Sequence, residues 1–256
     1  MRSFRAFFNK EFLEQMRSGK LTVIVILFVL FGIMNPAIAK LTPWLLELFA
    51  DTLAESGMTV AQTAVDALDA WVQFFKNAPM ALIAFVLLQS SVFTKEYAAG
   101  TLVLSVTKGL ERFKIVLAKE TVLVILWSAG YWLQFGITHA YSAYYWDNAV
   151  AQDLALSVTC WWLFGVFVLS LVTLFSTVFR ASASVLLGTC GVVLLCSLVG
   201  LVPRVGKYLP TMLTDGTSLL TGASDAQAYL PAVLITAFLS ILCFAVSIPV
   251  FDKKQL

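Results

Sequence analysis

Six stretches of apolar sequence without a charged residue constrain this 256-residue chain more than any other feature. Crossing the hydrocarbon core of a bilayer takes roughly 20 helical residues. Unpaired backbone groups are too costly in lipid, and the stretches lack the alternation of a barrel strand, so each must be a closed helix. The predicted transmembrane spans cover residues 21–39, 79–94, 121–138, 156–179, 183–202 and 230–250.

The composition supports a lipid-embedded protein. Hydrophobic residues make up 60% of the chain and charged residues 12%, whereas a soluble domain has roughly 45–50% and about 25%. The four cysteines lie in apolar runs, and the single histidine, His139, excludes a histidine-rich metal site. A net charge of +2 gives no reason to expect a nucleic-acid partner.

The distribution of lysine and arginine predicts the orientation of the chain. With the N-terminus inside, 13 of these residues are cytoplasmic and only Lys40, Lys76, Arg204 and Lys207 are outside. Because six spans are an even number, the C-terminus is also predicted to be cytoplasmic. We therefore expect an all-α, multi-pass protein of the cell membrane, with two long outer segments at residues 40–78 and 203–229.

Residues 1–20 have the pattern of an amphipathic helix at the inner membrane surface. Apolar residues fall at helical spacing on one side, and basic residues occupy the rest. We expect the apolar face to contact membrane lipid and the basic face to contact anionic headgroups or a protein partner. The apolar face consists of Phe4, Phe7, Phe8, Phe12 and Met16.

The predicted inner loop, residues 95–120, has an order that a positive-inside loop does not require. Glu96 precedes Gly100, Thr101 and Leu102, and a basic stretch follows. Gly100 ends the preceding helix in this interpretation, and Thr101 caps a short new one. A compact helix held between two spans is suited to receive force from a cytoplasmic protein.

Small residues mark one face of the fifth predicted span. Ala181, Ser184, Gly188 and Gly191 repeat at three and four residues, which lets another helix approach closely. We expect this stripe to serve packing within the bundle, with a subunit interface as the second interpretation.

Several kinds of chemistry are missing from the pattern. Ser18-Gly19-Lys20-Leu21 lacks the upstream glycine and the following hydroxyl of a phosphate-binding loop. No charged residue lies near the middle of a predicted span, which argues against ion-coupled transport. No nucleophile stands beside a base inside a span. The sequence therefore predicts a protein that is not an enzyme and has no metal site.

Two motifs resemble those of a known family. The segment Phe7-Phe8-Asn9-Lys10-Glu11-Phe12 is similar to the N-terminal helix of type-2 ABC exporter permeases, which are six-span membrane subunits. Glu96-x-x-x-Gly100-Thr101-Leu102, followed by Arg112 and Lys119, resembles their coupling segment. The resemblance covers the whole chain in topology and about forty residues in motif.

The resemblance implies a six-helix bundle paired with a second permease copy or a paralogue. Two separate cytoplasmic ATPase subunits, which carry ATP and Mg²⁺, would dock on the inner loop and the N-terminal helix. This chain would bind no cofactor itself. The residues expected to couple it to the ATPases are Lys10, Glu11, Glu96, Gly100, Thr101, Leu102, Lys108, Arg112 and Lys119.

Two other functions stay open at this point. A self-sufficient secondary transporter or channel has the same kind of topology. So does a non-transporting membrane subunit that acts in immunity or assembly. The identity of any cargo is not encoded in a recognisable motif.

Overall fold

The computed structural model describes residues 2–49, 65–107 and 109–254, and these residues form helices and turns without a strand. Leu53 of the first outer segment and the predicted coupling residue Lys108 lie outside the described residues. In chain order the helices are α1 (Arg2–Arg17), α2 (Lys20–Leu48), α3 (Ala67–Gln89), α4 (Thr94–Ala99), α5 (Thr101–Thr107), α6 (Arg112–Tyr145), α7 (Leu154–Val178), α8 (Ser182–Gly200), α9 (Pro203–Gly206), α10 (Gly216–Leu220) and α11 (Ala226–Lys253).

Five segments are long and apolar enough to cross a membrane. They are α2, the combined stretch Ala67–Ala99, α7, α8 and α11. Helix α6, which contains the predicted third span, is not among the five. It is the least apolar of the six long helices, because Lys119 and Glu120 lie in its first third and tyrosines in its last turns. The prediction of an all-helical membrane protein is confirmed, with five spans supported by this criterion.

The helices extend beyond the charge-free stretches from which the spans were predicted. Helix α2 continues to Leu48, and α3 begins at Ala67 behind a capping box formed by Asp66 and Asp69. Both ends of the predicted outer segment 40–78 are therefore helical. A charge-free stretch marks only the part of a helix that is suited to the hydrocarbon core. The helix itself is longer, because its backbone hydrogen bonds continue into the polar headgroup region. Where the membrane begins and ends on each helix stays a prediction.

Aromatic side chains fill the centre of the bundle, where α2, α3, α6 and α7 meet. The ring of Trp127 lies 5.9 Å from that of Phe28 and 5.6 Å from that of Phe85, centroid to centroid. Two glycines make room for these rings. A Cβ atom at Gly165 would lie 2.3 Å from the Trp127 ring, and one at Gly130 would lie 2.4 Å from the Phe28 ring.

The predicted outer segment 203–229 folds back onto the bundle. It contains α9, a 3₁₀ turn at Pro210–Thr214, and α10. The indole nitrogen of Trp161 donates to the Thr214 carbonyl at 2.9 Å, and the hydroxyl of Tyr229 donates to the Asp215 carbonyl at 2.8 Å. These two hydrogen bonds attach the turn to α7 and α11.

One end of the bundle, called here the inner end, gathers several elements that are distant in sequence. Helix α1, the coupling segment (residues 94–107, α4 and α5), the start of α6 and the end of α11 share a second hydrophobic cluster. Phe7, Phe93, Leu102, Ile115 and Phe251 form its buried part together with Val116 and Ala118. This end therefore has its own core, separate from the aromatic centre.

Candidate coupling site at the inner end

Four charged residues from three helices meet at the inner end. Helix α1 supplies Lys10 and Glu11, α4 supplies Glu96, and α6 supplies Lys119. We call these four residues the inner ion cluster. The elements that carry them are held together by the second hydrophobic cluster, which packs Phe7 of α1 against the start of α6.

Lys119 is the centre of the cluster. Its Nζ atom lies 2.8 Å from Glu11 Oε2 and 2.8 Å from Glu96 Oε2, and it donates to the Val92 carbonyl at 3.0 Å. The Lys119 side chain is only 1% exposed. A buried ammonium of this kind is tolerated because two carboxylates and a carbonyl replace its water.

Lys10 completes the arrangement from the solvent side. Its ammonium lies 2.9 Å from Glu11 Oε1 and forms a second ion pair with Glu96 Oε1. Burial opposes the charge of Lys10, but the hydrogen bond to Glu96 and the charge of Glu11 raise the pKa of Lys10 above its ordinary value. The cluster thus contains two cations and two anions in alternation.

Two further charges lie at the rim of the cluster. Glu14 Oε2 is 3.5 Å from Lys10 Nζ, and Glu14 Oε1 is 3.7 Å from Lys95 Nζ. Carboxylate oxygens of Glu11, Glu14 and Glu96 lie within 4.8 Å of one another. Because lysine ammoniums contact each of these three carboxylates, the grouping has the chemistry of an ion-pair network rather than of a metal site.

The coupling segment turns sharply beside the cluster. Gly100 adopts a left-handed conformation with φ +65° and ends α4, and α5 begins at Thr101. A residue with a Cβ atom would be strained in this conformation, although no neighbour lies within 4 Å of that position. The turn lets Glu96 and Leu102 both face inward, and both are buried.

The other side of the coupling segment is apolar and accessible. Val103 is 41% exposed and Leu104 is 61% exposed. A cavity of about 350 Å³ lies next to them, lined by Glu96, Tyr97, Ala98, Gly100, Leu102, Val103 and Arg180. Val103 and Leu104 are therefore available for contact with lipid or with another protein.

Arg112 does not join the inner ion cluster. Its Nη1 atom donates to the carbonyls of Phe251 at 3.0 Å, Asp252 at 2.7 Å and Lys254 at 2.8 Å. These are carbonyls at the end of α11, where a helix lacks internal donors and a cation is favoured. Arg112 therefore joins the start of α6 to the end of α11.

Lys254 continues this connection to α7. Its Nζ atom donates to the Phe179 carbonyl at 2.9 Å and lies 4.1 Å from the centre of the Tyr97 ring. Burial, helped by the nearby charge of Arg180, lowers the pKa of Lys254 to about 8. In the sequence, Lys254 has only the pattern of a cytoplasmic charge that helps to set orientation, because no local pattern connects it with Tyr97.

The structure thus sorts the predicted coupling residues into groups. Lys10, Glu11, Glu96 and Lys119 meet in one cluster, and Gly100, Thr101 and Leu102 form the adjacent turn. Arg112 serves the end of α11, and Lys108 is outside the described residues. Their role toward an ATPase stays a prediction. Because the cluster residues contact one another, they would act on such a partner through the exposed side of α5.

The small-residue stripe of α8 is divided between two surroundings. A Cβ atom at Gly188 would lie 2.8 Å from the Phe175 ring of α7, so this position packs inside the bundle. Gly191 has no neighbour within 4 Å of its Cβ position, and Ala181 is exposed. Only part of the stripe is used for packing among the described residues, and a role for the rest stays a prediction.

Comparison with known proteins gives one family match. A family model described as "ABC-2 family transporter protein" matches residues 5–247. The match includes the inner ion cluster, the coupling segment and the long helices, except the first residues of α1 and the last residues of α11. No curated protein shows a significant match to the chain.

Proposed function

This chain belongs to the ABC-2 family of transporter proteins, and we propose that it is the permease subunit of an exporter driven by separate ATPase subunits. It is a multi-pass membrane protein, and membrane subunits of this family lack ATPase activity themselves. Membership implies partner ATPase subunits. Their docking site, the direction of transport and pairing with a second permease copy are parts of the proposal.

We include α6 as the sixth span. Its 34 residues measure about 51 Å, and residues 121–138 contain no charge. The ends of α1 and α11 share the second hydrophobic cluster through Phe7 and Phe251. Two elements at the same surface of a membrane are connected by an even number of spans. The five supported spans become six only if α6 also crosses.

The observation that carries the proposal is the position of Glu96. It lies on the coupling segment, and its two carboxylate oxygens contact lysines of α1 and α6. A force applied to α5 would reach α4 across the Gly100 turn. It would then reach α6 through the buried ion pair of Glu96 with Lys119, and α1 through the half-exposed ion pair of Glu96 with Lys10.

Such a connection supports a two-state mechanism. ATP-driven closure of two ATPases would move the coupling segments, and the change would pass to α6, which packs against α2 and α7. For this to work, the ATPase must contact α5 differently in its two states. The exposed Val103 and Leu104 are the contacts that we assign to that task.

Charged substitutions at matched positions test the docking surface. Val103→Asp places a carboxylate on the exposed side of α5, and Val205→Asp does the same in the outer segment. Both valines are 41% exposed. We expect Val103→Asp to abolish the ATP hydrolysis that co-purifies with the chain in mild detergent, and Val205→Asp to retain it. Equal hydrolysis in both preparations would contradict docking at α5.

Two experiments separate the remaining functions. A secondary transporter or channel should move its cargo in liposomes that contain the chain alone, driven by an ion gradient. A non-transporting subunit should show no transport with any ATPase present. The exporter proposal predicts transport only when ATP and the ATPase subunits are both supplied.

A further inference from the structure

Two adjacent residues at the start of α6 have opposite surroundings. Successive residues of an α-helix point about 100° apart, so Lys119 and Glu120 face different neighbours. Lys119 faces α1 and α4, where it joins the inner ion cluster. Glu120 faces α7, where the hydroxyl of Thr173 donates a hydrogen bond to its carboxylate. Glu120 is 9% exposed and Thr173 is fully buried.

The described groups that interact with Glu120 are polar but uncharged. Thr173 hydrogen-bonds to it from α7, and Cys243 approaches it from α11. Helix α7 has no charged residue between Leu154 and Val178. The charged residues of α11, Asp252 and Lys253, lie in its last turn.

Several charges of the other helices that pack on α6 are engaged elsewhere. Lys10, Glu11 and Glu14 of α1 form ion pairs in the inner ion cluster or at its rim, Arg5 and Arg17 of α1 are exposed, and Lys20 of α2 donates to the Ser91 hydroxyl. Asp69 and Lys76 lie in the first half of α3, away from the end that leads to the coupling segment. None of the ion pairs formed within residues 2–49, 65–107 and 109–254 includes Glu120.

This environment favours the neutral form of the carboxyl group. An ionised carboxylate taken out of water without a cation costs several kcal/mol, and one hydroxyl donor does not offset that cost. A protonated carboxyl costs far less and both donates and accepts hydrogen bonds. Thr173 can accept as well as donate, so it can accommodate either form.

We propose that Glu120 is a proton-binding site of this permease, protonated at neutral pH in the packed arrangement of α6, α7 and α11. When the group titrates, the O–H bond of the carboxyl breaks, the proton passes to water at the inner end, and the carboxylate remains. The reverse step takes up one proton from water. The coupling segment reaches α6 through the Glu96–Lys119 pair and α7 through the hydrogen bond from the Tyr97 hydroxyl to the Ser176 carbonyl.

Infrared spectroscopy of the full chain in lipid nanodiscs tests the proposal directly. The probe is the C=O stretching band of a protonated carboxyl, recorded at neutral pH in ordinary and heavy water. We expect one band that Glu120→Gln removes. Glu111→Gln is the matched control, because Glu111 is an exposed carboxylate of the same helix region paired with Lys114; it should leave the band unchanged.

Thr173→Val provides a second test that does not alter the carboxyl itself. The variant keeps the shape of the side chain but removes the hydrogen bond, so the band should move to higher frequency without losing intensity. Absence of a protonated carboxyl band in the wild type at neutral pH overturns the proposal. A band that survives Glu120→Gln overturns it too.

These measurements use the chain without an ATPase. Their outcome is therefore independent of the proposed exporter function. A bound cation in place of the proton would appear as an ionised carboxylate whose infrared bands respond to the salt in the buffer, and this result would also overturn the proposal.

Discussion

The two sides of α6 at the inner end solve the same problem in different ways. On one side, Lys119 neutralises two buried carboxylates, Glu11 and Glu96. On the other side, Glu120 is buried next to a hydroxyl and no cation of the described chain. A buried charge is tolerated if it is paired and is avoided by protonation if it is not. Whether a buried ionisable residue of this protein carries its charge therefore depends on the partners around it rather than on its position in the sequence.

The largest expected effect comes from removing the central cation. Lys119→Met keeps an unbranched side chain, one atom shorter, but leaves Glu11 and Glu96 close together with Lys10 alone. Breaking a buried ion pair on one side typically costs about 3–5 kcal/mol. We expect a loss of this size in the free energy of unfolding, measured by equilibrium unfolding in mixed micelles.

The double variant Lys119→Met with Glu96→Gln is the control for this change. It removes one of the unpaired carboxylates, so part of the lost stability should return. The two residues do not interact if their effects add. In that case the double variant would have a lower free energy of unfolding than Lys119→Met, by the same amount that Glu96→Gln alone lowers it in the wild type.

A smaller effect is expected from Glu96→Gln alone. The amide keeps the shape of the side chain but loses the charge-assisted hydrogen bond from Lys10 and the ion pair with Lys119, while Glu11 still contacts both lysines. Hydrogen bonds to charged groups contribute about 1.5–3 kcal/mol. The same unfolding assay should show a loss in that range, and a loss equal to that of Lys119→Met would mean that Glu96 rather than Lys119 is the centre of the cluster.

Glu120→Gln should change stability by less than about 1 kcal/mol at low pH, because an amide replaces a neutral acid of the same shape. A proton held by the folded protein and released by the unfolded chain makes stability fall as pH rises above roughly 4.3, the ordinary glutamate value. The fall should continue until the folded carboxyl also ionises. Unfolding measured from pH 4 upward should show this slope in the wild type relative to the variant.

The opposite dependence of stability on pH would contradict the contrast between Glu120 and the carboxylates of the inner ion cluster. Stability that rises with pH in the wild type relative to Glu120→Gln would mean that the folded protein favours the ionised carboxylate, as in the inner ion cluster.

The smallest effect is expected at the surface of the same region. Glu111 pairs with Lys114 one turn away, and the Glu111 side chain is 57% exposed. Exposed ion pairs contribute about 0.2–1 kcal/mol and are screened by salt. Glu111→Gln should change the free energy of unfolding by at most about 0.5 kcal/mol, and added salt should remove the difference. A larger, salt-independent effect would show that burial is not what separates these sites.

Much of the architecture could be predicted from apolar length, because hydrocarbon requires closed helices of a minimum length. Helix ends were less accessible to prediction. Helix α2 continues past Lys40 to Leu48 and α3 starts at Ala67, because backbone hydrogen bonding does not stop where hydropathy falls.

The candidate site was predictable as a set of residues but not as a set of contacts. The motif around Glu96 and the charges of Lys10, Glu11 and Lys119 were recognised from the sequence. Their mutual pairing depends on the packing of α1 against α6, which local sequence does not encode. Lys254 and Glu120 had no local signal as site residues, because their partners Tyr97 and Thr173 are far away along the chain.

The sequence by itself determined that the chain is helical, lies in a membrane and belongs to a recognisable class of transporter subunit. Those properties follow from composition, apolar length and short motifs, which are local. The tertiary structure alone decided that Lys119 is paired with two carboxylates and that Glu120 forms no ion pair within the described residues. Two neighbouring residues on α6 have the same local sequence environment, and only the helices packed on either side make one a paired cation and the other an isolated acid.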